Sequence, residues 1–248
     1  MVEIMSEDEH QARIDLAAAY QLAALFGWTD WIFQHFTVKI PNTEHFLING
    51  YGLMFDEVTA SNLVKIDLDG NVVNDPLGLG VNRSGFVLHS IVHRAREDAV
   101  CVLHTHTRAG IAVACQKNGL LAMSQHALRV RPRLAYHDYE GILLGFEERT
   151  RLVAAMGTDK KALMLRQHGM LSLGTTVRDA FEIMYYLQRA CEIQIDALSA
   201  GLNGVLDTPD EISEHVYAQF TRPGREAITK DWPALLRLLD RRGIQFRH

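Results

Sequence analysis

Two short, uninterrupted apolar runs restrict the folds open to this chain. They lie at residues 99–103 and 162–165, where every side chain is apolar. Runs of this length are typical of strands covered on both faces, because a strand with one face in water alternates apolar and polar residues. Helical patterns separate and follow the two runs, at residues 110–116, 147–156 and beyond. Interleaved strands and helices predict a layered α/β fold.

The flanking segments carry signals of their own. Ser6 is a suitable N-cap with Glu9 three residues later, and the pattern after it predicts a helix that ends near Gly27. Residues 36–69 alternate short apolar runs with turn residues, which predicts a hairpin or meander. A second N-cap signal, at Thr176, begins a long helix whose apolar residues recur every three or four positions.

Charge and cysteine content narrow the partners and the compartment. The chain has 25 Lys+Arg against 30 Asp+Glu, a net charge of −5, so we expect no nucleic-acid partner. No apolar run approaches the about 20 residues that span a bilayer, so we expect no membrane partner. An odd number of cysteines favours free thiols, and the acidic first residues are unlike a secretory signal. A cytoplasmic protein is therefore expected.

The organisation of the chain is simple. No Gly/Ser-rich linker, internal repeat or low-complexity tract divides it. We therefore expect one domain over residues 1–248. Its C-terminal part, from about residue 205, has a polar helical pattern and is interpreted as a helical extension of that domain.

Histidine is the residue whose placement carries most information. The chain has 12 histidines, and both apolar runs lead directly towards one. His104 and His106 are two apart, so in an extended chain both imidazoles point to the same side. His168 follows the second run, which we expect on a neighbouring strand, and it can supply a third nitrogen. Three protein ligands with one position left for water or substrate are typical of a catalytic metal. The alternative is a pair of exposed or hydrogen-bonded histidines without metal.

Four stretches resemble the class II aldolase/adducin family, and especially its adducin-like branch. They are SGFVLHS at 84–90, LHTHTRAG at 103–110, YHDYEG at 136–141 and RQHG at 166–169. The similarity covers roughly residues 8–200. It implies a three-layer α/β/α sandwich around a mixed, largely antiparallel central sheet, usually assembled as a homotetramer with sites between subunits. It also implies that His104, His106 and His168 bind a divalent metal ion, commonly zinc.

The acid/base glutamate of the family's aldolases has no counterpart here. The motif that holds it corresponds to Arg83, Ser84 and Gly85, so glycine stands at the glutamate position. Glycine cannot transfer a proton, and the proton step of an aldol reaction needs another group. The resemblance also implies substrate contacts for Arg83 and Ser84, and for His35 and Gly50 in two phosphate-gripping loops that this chain has rebuilt.

An arginine at position 83 suits a carboxylate, which it can bind with two parallel hydrogen bonds. The expected substrate is therefore a small molecule, and a carboxylic acid rather than a sugar phosphate. The alternative for Arg83 is a solvated arginine at the start of a helix.

Other groups are candidates for the proton transfer. Tyr139 and Glu140 belong to a dense polar cluster, and His126 is expected in a loop near the mouth of the metal site. Each has a structural alternative, such as the core for Tyr139 and a cap or ion pair for Glu140. His89 and His93 stand four apart on a predicted helix but lack the glutamate of an H-E-x-x-H zinc motif, and we interpret them as structural.

Three functions follow from these observations. The first is a metal-dependent lyase of the aldolase or decarboxylase type, acting on a small oxo or hydroxy acid while the metal stabilises an enolate. Zinc is the expected metal, with iron, manganese and cobalt as alternatives. The second is a non-heme Fe(II) oxygenase or oxidative decarboxylase, although such sites more often combine two histidines with a carboxylate. The third is a non-catalytic, adducin-like interaction module, in which a metal triad has no obvious use.

Overall fold

The computed structural model describes residues 5–141, 149–224 and 230–248. In these ranges, eight strands form one sheet and eight α-helices cover it. The strands are β1 (His35–Lys39), β2 (His45–Ile48), β3 (Val64–Asp67), β4 (Val72–Asn74), β5 (Cys101–Thr105), β6 (Leu134–His137), β7 (Ala162–Leu165) and β8 (Gly169–Gly174). The helices are α1 (Glu7–Leu25), α2 (Arg83–Ala95), α3 (Arg108–Ala114), α4 (Gln125–Val130), α5 (Arg149–Met156), α6 (Val177–Ala197), α7 (Asp210–Phe220) and α8 (Asp231–Arg241).

The sheet is mixed and largely antiparallel, as expected. Its strand order is β4-β3-β2-β1-β5-β8-β7-β6, and β6 with β7 is the parallel pair. Strands β1 to β3 form the predicted meander, since each pairs antiparallel with the next one along the chain, and β4 continues it. The other edge of β1 pairs with β5, which joins the meander to the rest of the sheet.

Helices cover both faces of the sheet, so the predicted three-layer sandwich is confirmed. Helices α1, α3, α4, α6 and α8 pack on one face, and α2 and α5 on the other. Along β5, Cys101 and Leu103 enter the first core while Val102 enters the second. Both faces of the apolar run are therefore buried, and each buried Val or Leu side chain contributes about 1.5–3 kcal/mol. By the same alternation, His104 lies on the α2 side of the sheet.

Both predicted helix starts are confirmed by their caps. The Ser6 hydroxyl accepts a hydrogen bond from the Glu9 amide at 3.1 Å, and Thr176 accepts one from the Asp179 amide at 3.1 Å. Each cap satisfies an amide that the first helical turn leaves without a partner, which stabilises the helix by about 1 kcal/mol. Helix α1 ends close to the predicted Gly27.

The C-terminal part contains helices α7 and α8 and packs back on the first core. Trp232 of α8 donates a hydrogen bond from Nε1 to Asp15 of α1 at 2.9 Å. Leu239 and Phe246 are buried in the first core, and the Phe246 carbonyl accepts a hydrogen bond from the Ala60 amide at 2.9 Å. No helix in the described ranges is both long and apolar enough to cross a bilayer.

One expectation about the sheet is wrong. Strand β8, which begins and ends with glycine and which the apolar pattern does not predict, lies between β5 and β7. The two apolar runs are therefore not neighbours, and His168 lies in the tight turn between β7 and β8 rather than at the end of a strand beside β5. The histidine still reaches β5, because β8 leaves that turn antiparallel to β5 and pairs Met170 with Thr105.

Candidate metal centre

One end of the sheet, where β5 finishes and β1 begins, contains most of the predicted site residues. Strand β5 ends there and leads into His106, while β1 begins there with His35 paired opposite His104. The turn between β7 and β8 brings His168 to the same end of the sheet. Antiparallel strand pairing thus places side by side residues that lie far apart in sequence.

The three predicted ligands form one cluster, named here the histidine triad (His104, His106 and His168). The Nε2 atoms of His104 and His106 are 2.7 Å apart, and those of His106 and His168 are 3.1 Å apart. One nitrogen of each ring lies within 4.8 Å of the other two. No other group of three histidine, cysteine or acidic side chains has such geometry in the part of the chain that is described. The structure brings the ligands together, and metal binding itself stays a prediction.

Hydrogen bonds behind His104 and His106 determine which of their ring nitrogens carry protons. His104 donates from Nδ1 to the Met170 carbonyl at 3.0 Å, since a carbonyl only accepts. His106 donates from Nδ1 to the Asp30 carboxylate at 2.9 Å. In a neutral ring the other nitrogen, Nε2, then carries a lone pair. Two lone pairs 2.7 Å apart repel each other unless a cation lies between them, so this donor set suits a metal ion.

Burial keeps two of the triad rings, His104 and His168, neutral. It lowers the pKa of His104 well below its usual value and lowers the pKa of His168 to about 4, with the charge of His106 as the second cause in both rings. Metal ions bind neutral imidazole, so these ligands need not lose a proton at neutral pH. The Asp30 carboxylate behind His106 is the kind of partner that orients a metal-binding ring and strengthens it as a ligand.

The backbone around the triad adopts uncommon conformations. Gln167, in the turn between β7 and β8, has φ = 60°, and Trp31, next to Asp30, has φ = 49°. Residues other than glycine pay about 1 kcal/mol or more in this region, and such strain is typical of functional sites, where surrounding contacts maintain it. A Cβ on Gly169 would lie 2.4 Å from the Thr105 carbonyl oxygen, so the close approach of β8 to β5 requires glycine there.

His35 fills the space that a side chain at position 85 would need. A Cβ built on Gly85 would lie 2.1 Å from His35 Nε2, far inside van der Waals contact. The His35 ring lies beside the triad, with its centroid 5.3 Å from that of His104. Burial, followed by the charges of His106 and His168, lowers the pKa of His35 to about 3, so the ring is neutral. The histidine at 35 therefore accounts for the glycine at 85.

The other predicted substrate-binding residues have varied surroundings. Arg83 is the first residue of α2 and is exposed. Gly50 follows β2, and a Cβ there would lie 3.1 Å from the Leu79 side chain. The side chain of Ser84 lies outside the described part of the chain. Their roles in binding a substrate stay predictions.

The candidates for proton transfer are placed as follows. Tyr139 and Glu140 lie in the segment after β6, and Tyr139 is 52% exposed, which excludes the core alternative. Glu140 pairs with Arg151, whose hydrogen bond holds the pKa of that carboxyl below its usual value. His126 lies on helix α4, so its placement in a loop is wrong: Ser124 caps a helix there, and the His126 ring packs on α6. Catalytic roles for the three stay predictions.

Several contributors escape the sequence patterns. Asp30 lies in a segment without periodic signal, and nothing in the sequence marks it as the partner of His106. His89 and His93 are hydrogen-bonded through both ring nitrogens, as expected of structural histidines, but one of these bonds joins His89 to His35. Residues four apart lie on the same side of a helix, and the rings of His89 and His93 both contact residues of β1. Their i, i+4 spacing is therefore the sequence signal for this contact.

Comparisons with known proteins agree with this geometry. The model of the Class II Aldolase and Adducin N-terminal domain matches residues 14–195. A provisionally named class 2 aldolase of Caulobacter vibrioides is 51% identical over 96% of this chain and 92% of its own length. The crystal structure of an aldolase II superfamily protein from Pseudomonas syringae has a TM-score of 0.94 at 50% identity, covering 99% of this chain and 98% of that one. Alpha-adducin of Rattus norvegicus is 42% identical over 96% of this chain, which spans 34% of the adducin. By sequence and by fold, the chain belongs to the class II aldolase and adducin family.

Proposed function

We propose that this protein is a metal-dependent carbon–carbon lyase of the aldolase or decarboxylase type, acting on a small oxo or hydroxy acid. The convergence of the three Nε2 atoms of the histidine triad carries the proposal, because it forms a ligand set for a divalent ion and the family's lyases are generally metal-dependent. A bound divalent ion would supply Lewis-acid stabilisation of the negative charge that develops as a carbon–carbon bond breaks. We propose zinc, since three imidazoles with one open position suit it, with iron, manganese or cobalt as alternatives.

The chain's own residues would bind and orient the acid. Arg83 is exposed and can bind a carboxylate with two parallel hydrogen bonds. We also assign Gly50, which follows β2, and Ser84, which lies on α2, to substrate binding. His35 lies beside the triad and is neutral, so it can contact a polar group of the substrate without attracting its carboxylate. We propose a carboxylic acid rather than a sugar phosphate as the substrate, because the planar guanidinium of Arg83 suits a carboxylate.

Proton transfer needs a group other than the residue at 85. We propose that Gly85 occupies the position of the family's glutamate and that His35 fills the space so vacated, as the 2.1 Å distance supports. Among the other candidates, Tyr139 is exposed after β6, whereas Glu140 already pairs with Arg151 and His126 packs on α6. Tyr139 is therefore the better-placed candidate for proton transfer.

We also propose a homotetramer in the cytoplasm. Trp31, next to the triad's partner Asp30, is 73% exposed, and Phe33 and Tyr51 are exposed as well. Exposed aromatic side chains at a site edge favour a subunit contact there. Cys101 and Cys191 are buried free thiols, which favours a reducing compartment. Light scattering after size-exclusion chromatography measures the oligomer directly.

An adducin-like interaction module is the second candidate. The 42% identity to alpha-adducin over nearly the whole chain favours it. The intact triad favours the lyase instead, because a scaffold has no use for converging imidazole lone pairs.

Metal analysis of gently purified protein, followed by an assay on candidate acids, tests the proposal. We expect bound zinc, and release of CO₂ or an aldehyde that a chelator abolishes and zinc restores. Protein without metal would favour the interaction module, iron with oxygen consumption would favour the oxygenase, and turnover indifferent to chelator would contradict the metal-dependent lyase.

A further inference from the structure

A continuous line of hydrogen-bonded side chains runs behind the triad, between β1 and α2. We name it the imidazole chain (His35, Thr37, His89 and His93). His35 Nδ1 lies 2.9 Å from His89 Nε2, and the other nitrogen of His89 lies 2.7 Å from the Thr37 hydroxyl. That hydroxyl also lies 2.7 Å from His93 Nε2. The first three side chains are buried and His93 is partly buried.

The His93 end of the imidazole chain sets the direction of all its hydrogen bonds. His93 Nδ1 lies 2.6 Å from the Ala99 carbonyl oxygen, which only accepts, so His93 donates from Nδ1. Burial lowers the pKa of His93 to about 4, so the ring is neutral and its Nε2 is an acceptor. Thr37 has a single hydroxyl proton, and it therefore donates that proton to His93.

The donors and acceptors in the rest of the imidazole chain follow in the same way. Having used its proton, the Thr37 oxygen accepts from His89 Nδ1. Burial lowers the pKa of His89 well below its usual value, so this ring is also neutral and its Nε2 accepts from His35 Nδ1. His35 is then left with a lone pair on Nε2. One backbone carbonyl thus dictates the tautomer of all three rings.

The His35 end of the imidazole chain lies beside the histidine triad. His35 Nε2 is the atom nearest to a Cβ built on Gly85, and among the described residues no donor is hydrogen-bonded to it. The ring lies against that of His104, in the triad. A lone pair in this place accepts a hydrogen bond from a hydroxyl but gains nothing from a carboxylate or a carbonyl, which are acceptors themselves.

We infer that the imidazole chain holds His35 in its Nδ1-protonated tautomer, so that Nε2 accepts a hydrogen bond from a substrate hydroxyl at the triad. Thr37, His89 and His93 are positioning residues in this scheme, and His35 is the group that touches the substrate. The inference rests on the proposed function for the location of the substrate, and it narrows the substrate class to hydroxy acids. The tautomers themselves depend on the fold alone.

Nitrogen-15 NMR of histidine-labelled protein tests the tautomers directly, with His35→Gln used to assign the His35 signals. We expect a protonated Nδ1 and an unprotonated Nε2 on His35, in both zinc-free and zinc-loaded protein. A protonated Nε2 on His35 would overturn the inference. This readout needs no turnover, so the tautomer of His35 can be verified even if the protein is not a lyase. Product release can likewise verify the lyase even if the tautomer assignment is wrong.

Variants at Thr37 test the role of the chain in recognition. Thr37→Val removes the hydroxyl at nearly constant volume, and Thr37→Ser keeps it as the matched control. The probes are glycolate and acetate, which differ by one hydroxyl, and calorimetry measures their binding to zinc-loaded protein.

We expect Thr37→Val to reduce the preference for glycolate over acetate about tenfold, the equivalent of one hydrogen bond, and to broaden or exchange the His35 tautomer signals. Thr37→Ser should retain both the preference and the signals. An unchanged preference in Thr37→Val, equal loss in both variants, or no glycolate binding by the wild-type protein would contradict the assignment.

Discussion

The two ends of the central sheet carry polar clusters of opposite kinds. At the end where β5 finishes, the histidine triad directs imidazole nitrogens at one another. At the opposite end, where β8 finishes, opposite charges neutralise each other: Arg129 pairs with Glu182, and Arg178 donates to Asp231 at 2.9 Å. The Arg129 guanidinium also lies 3.7 Å above the Tyr186 ring.

The difference separates a site from a structural cluster. Paired charges satisfy their own hydrogen-bonding needs, and removing one partner leaves the other partly buried without its counter-charge, which destabilises the fold. The Nε2 atoms of neutral His104 and His106 are both acceptors, because each ring donates from Nδ1, so they cannot satisfy each other and a metal ion can satisfy both. Changes at the triad end should therefore alter ligand binding, whereas changes at the β8 end should alter stability.

The largest effect is expected from removing a triad ligand. His106→Ala deletes the central nitrogen, which is near both other Nε2 atoms, so the zinc content should fall from stoichiometric to background. Elemental analysis after dialysis against zinc measures it. His10→Ala changes an exposed histidine and should leave the zinc content unchanged. Full zinc content in His106→Ala would remove the basis for assigning the triad as a metal site.

Mild acid should destabilise the fold through the buried histidines between β1 and α2. Above pH about 6.5, His93 is neutral in both folded and unfolded chains. As the pH falls from there towards its folded pKa of about 4, the unfolded chain takes up a proton that the folded one does not. The free energy of unfolding then decreases, by at most about 1.4 kcal/mol per pH unit for this ring.

Urea unfolding of metal-free protein at several pH values between 7 and 4 measures this decrease. His93→Gln should make the dependence shallower, and His10→Gln, at an exposed position, should not. A stability that stays constant over this range would show that the buried rings take up protons as readily as those of the unfolded chain.

Removing a charge at the β8 end should reduce stability without affecting metal. Glu182→Gln takes away the carboxylate that pairs with buried Arg129, and we expect the free energy of unfolding to fall by about 2 kcal/mol. Glu211→Gln, at an exposed glutamate of α7, is the control and should change it little. Urea titration and zinc analysis together decide. A loss of zinc in Glu182→Gln would mean that the two ends are coupled.

The smallest of these effects is expected behind the triad. Asp30→Asn keeps the shape of the partner of His106 but removes its charge, and we expect zinc affinity to fall about tenfold. Competition with a chromophoric chelator measures the affinity. Asp56→Asn, another exposed aspartate, should leave it unchanged. Equal affinities in the two variants would mean that the Asp30 carboxylate does not support the site.

Features that depend on residues a few positions apart in the sequence were predictable. The spacing of His104 and His106 puts both rings on one side of any strand, and the caps at Ser6 and Thr176 depend on residues three positions away. The apolar run before His168 suggested the third ligand, and the resemblance to the family supported it and added the sandwich fold. His126 was misplaced because the short helix that Ser124 caps has little periodic pattern of its own.

Features set by the pairing of distant strands were not predictable. The insertion of β8 between β5 and β7 depends on how a glycine-bounded segment packs, and the pattern of its side chains does not reveal it. Asp30 reaches His106 only because strand pairing puts the start of β1, which follows Asp30, beside the end of β5. The sequence makes Gly85 look like a lost catalytic group, whereas the structure places the ring of His35 in that space.

The amino-acid sequence by itself determined the layered fold class, the helix starts and the identity of three candidate ligands, because periodicity, capping and side-chain alternation act over a few residues. Only the tertiary structure decided which nitrogens face one another, that Asp30 stands behind His106, and that the Ala99 carbonyl sets the tautomers of the imidazole chain. Those outcomes depend on strand order and on the packing of α2 against β1, and no local interaction along the chain encodes them.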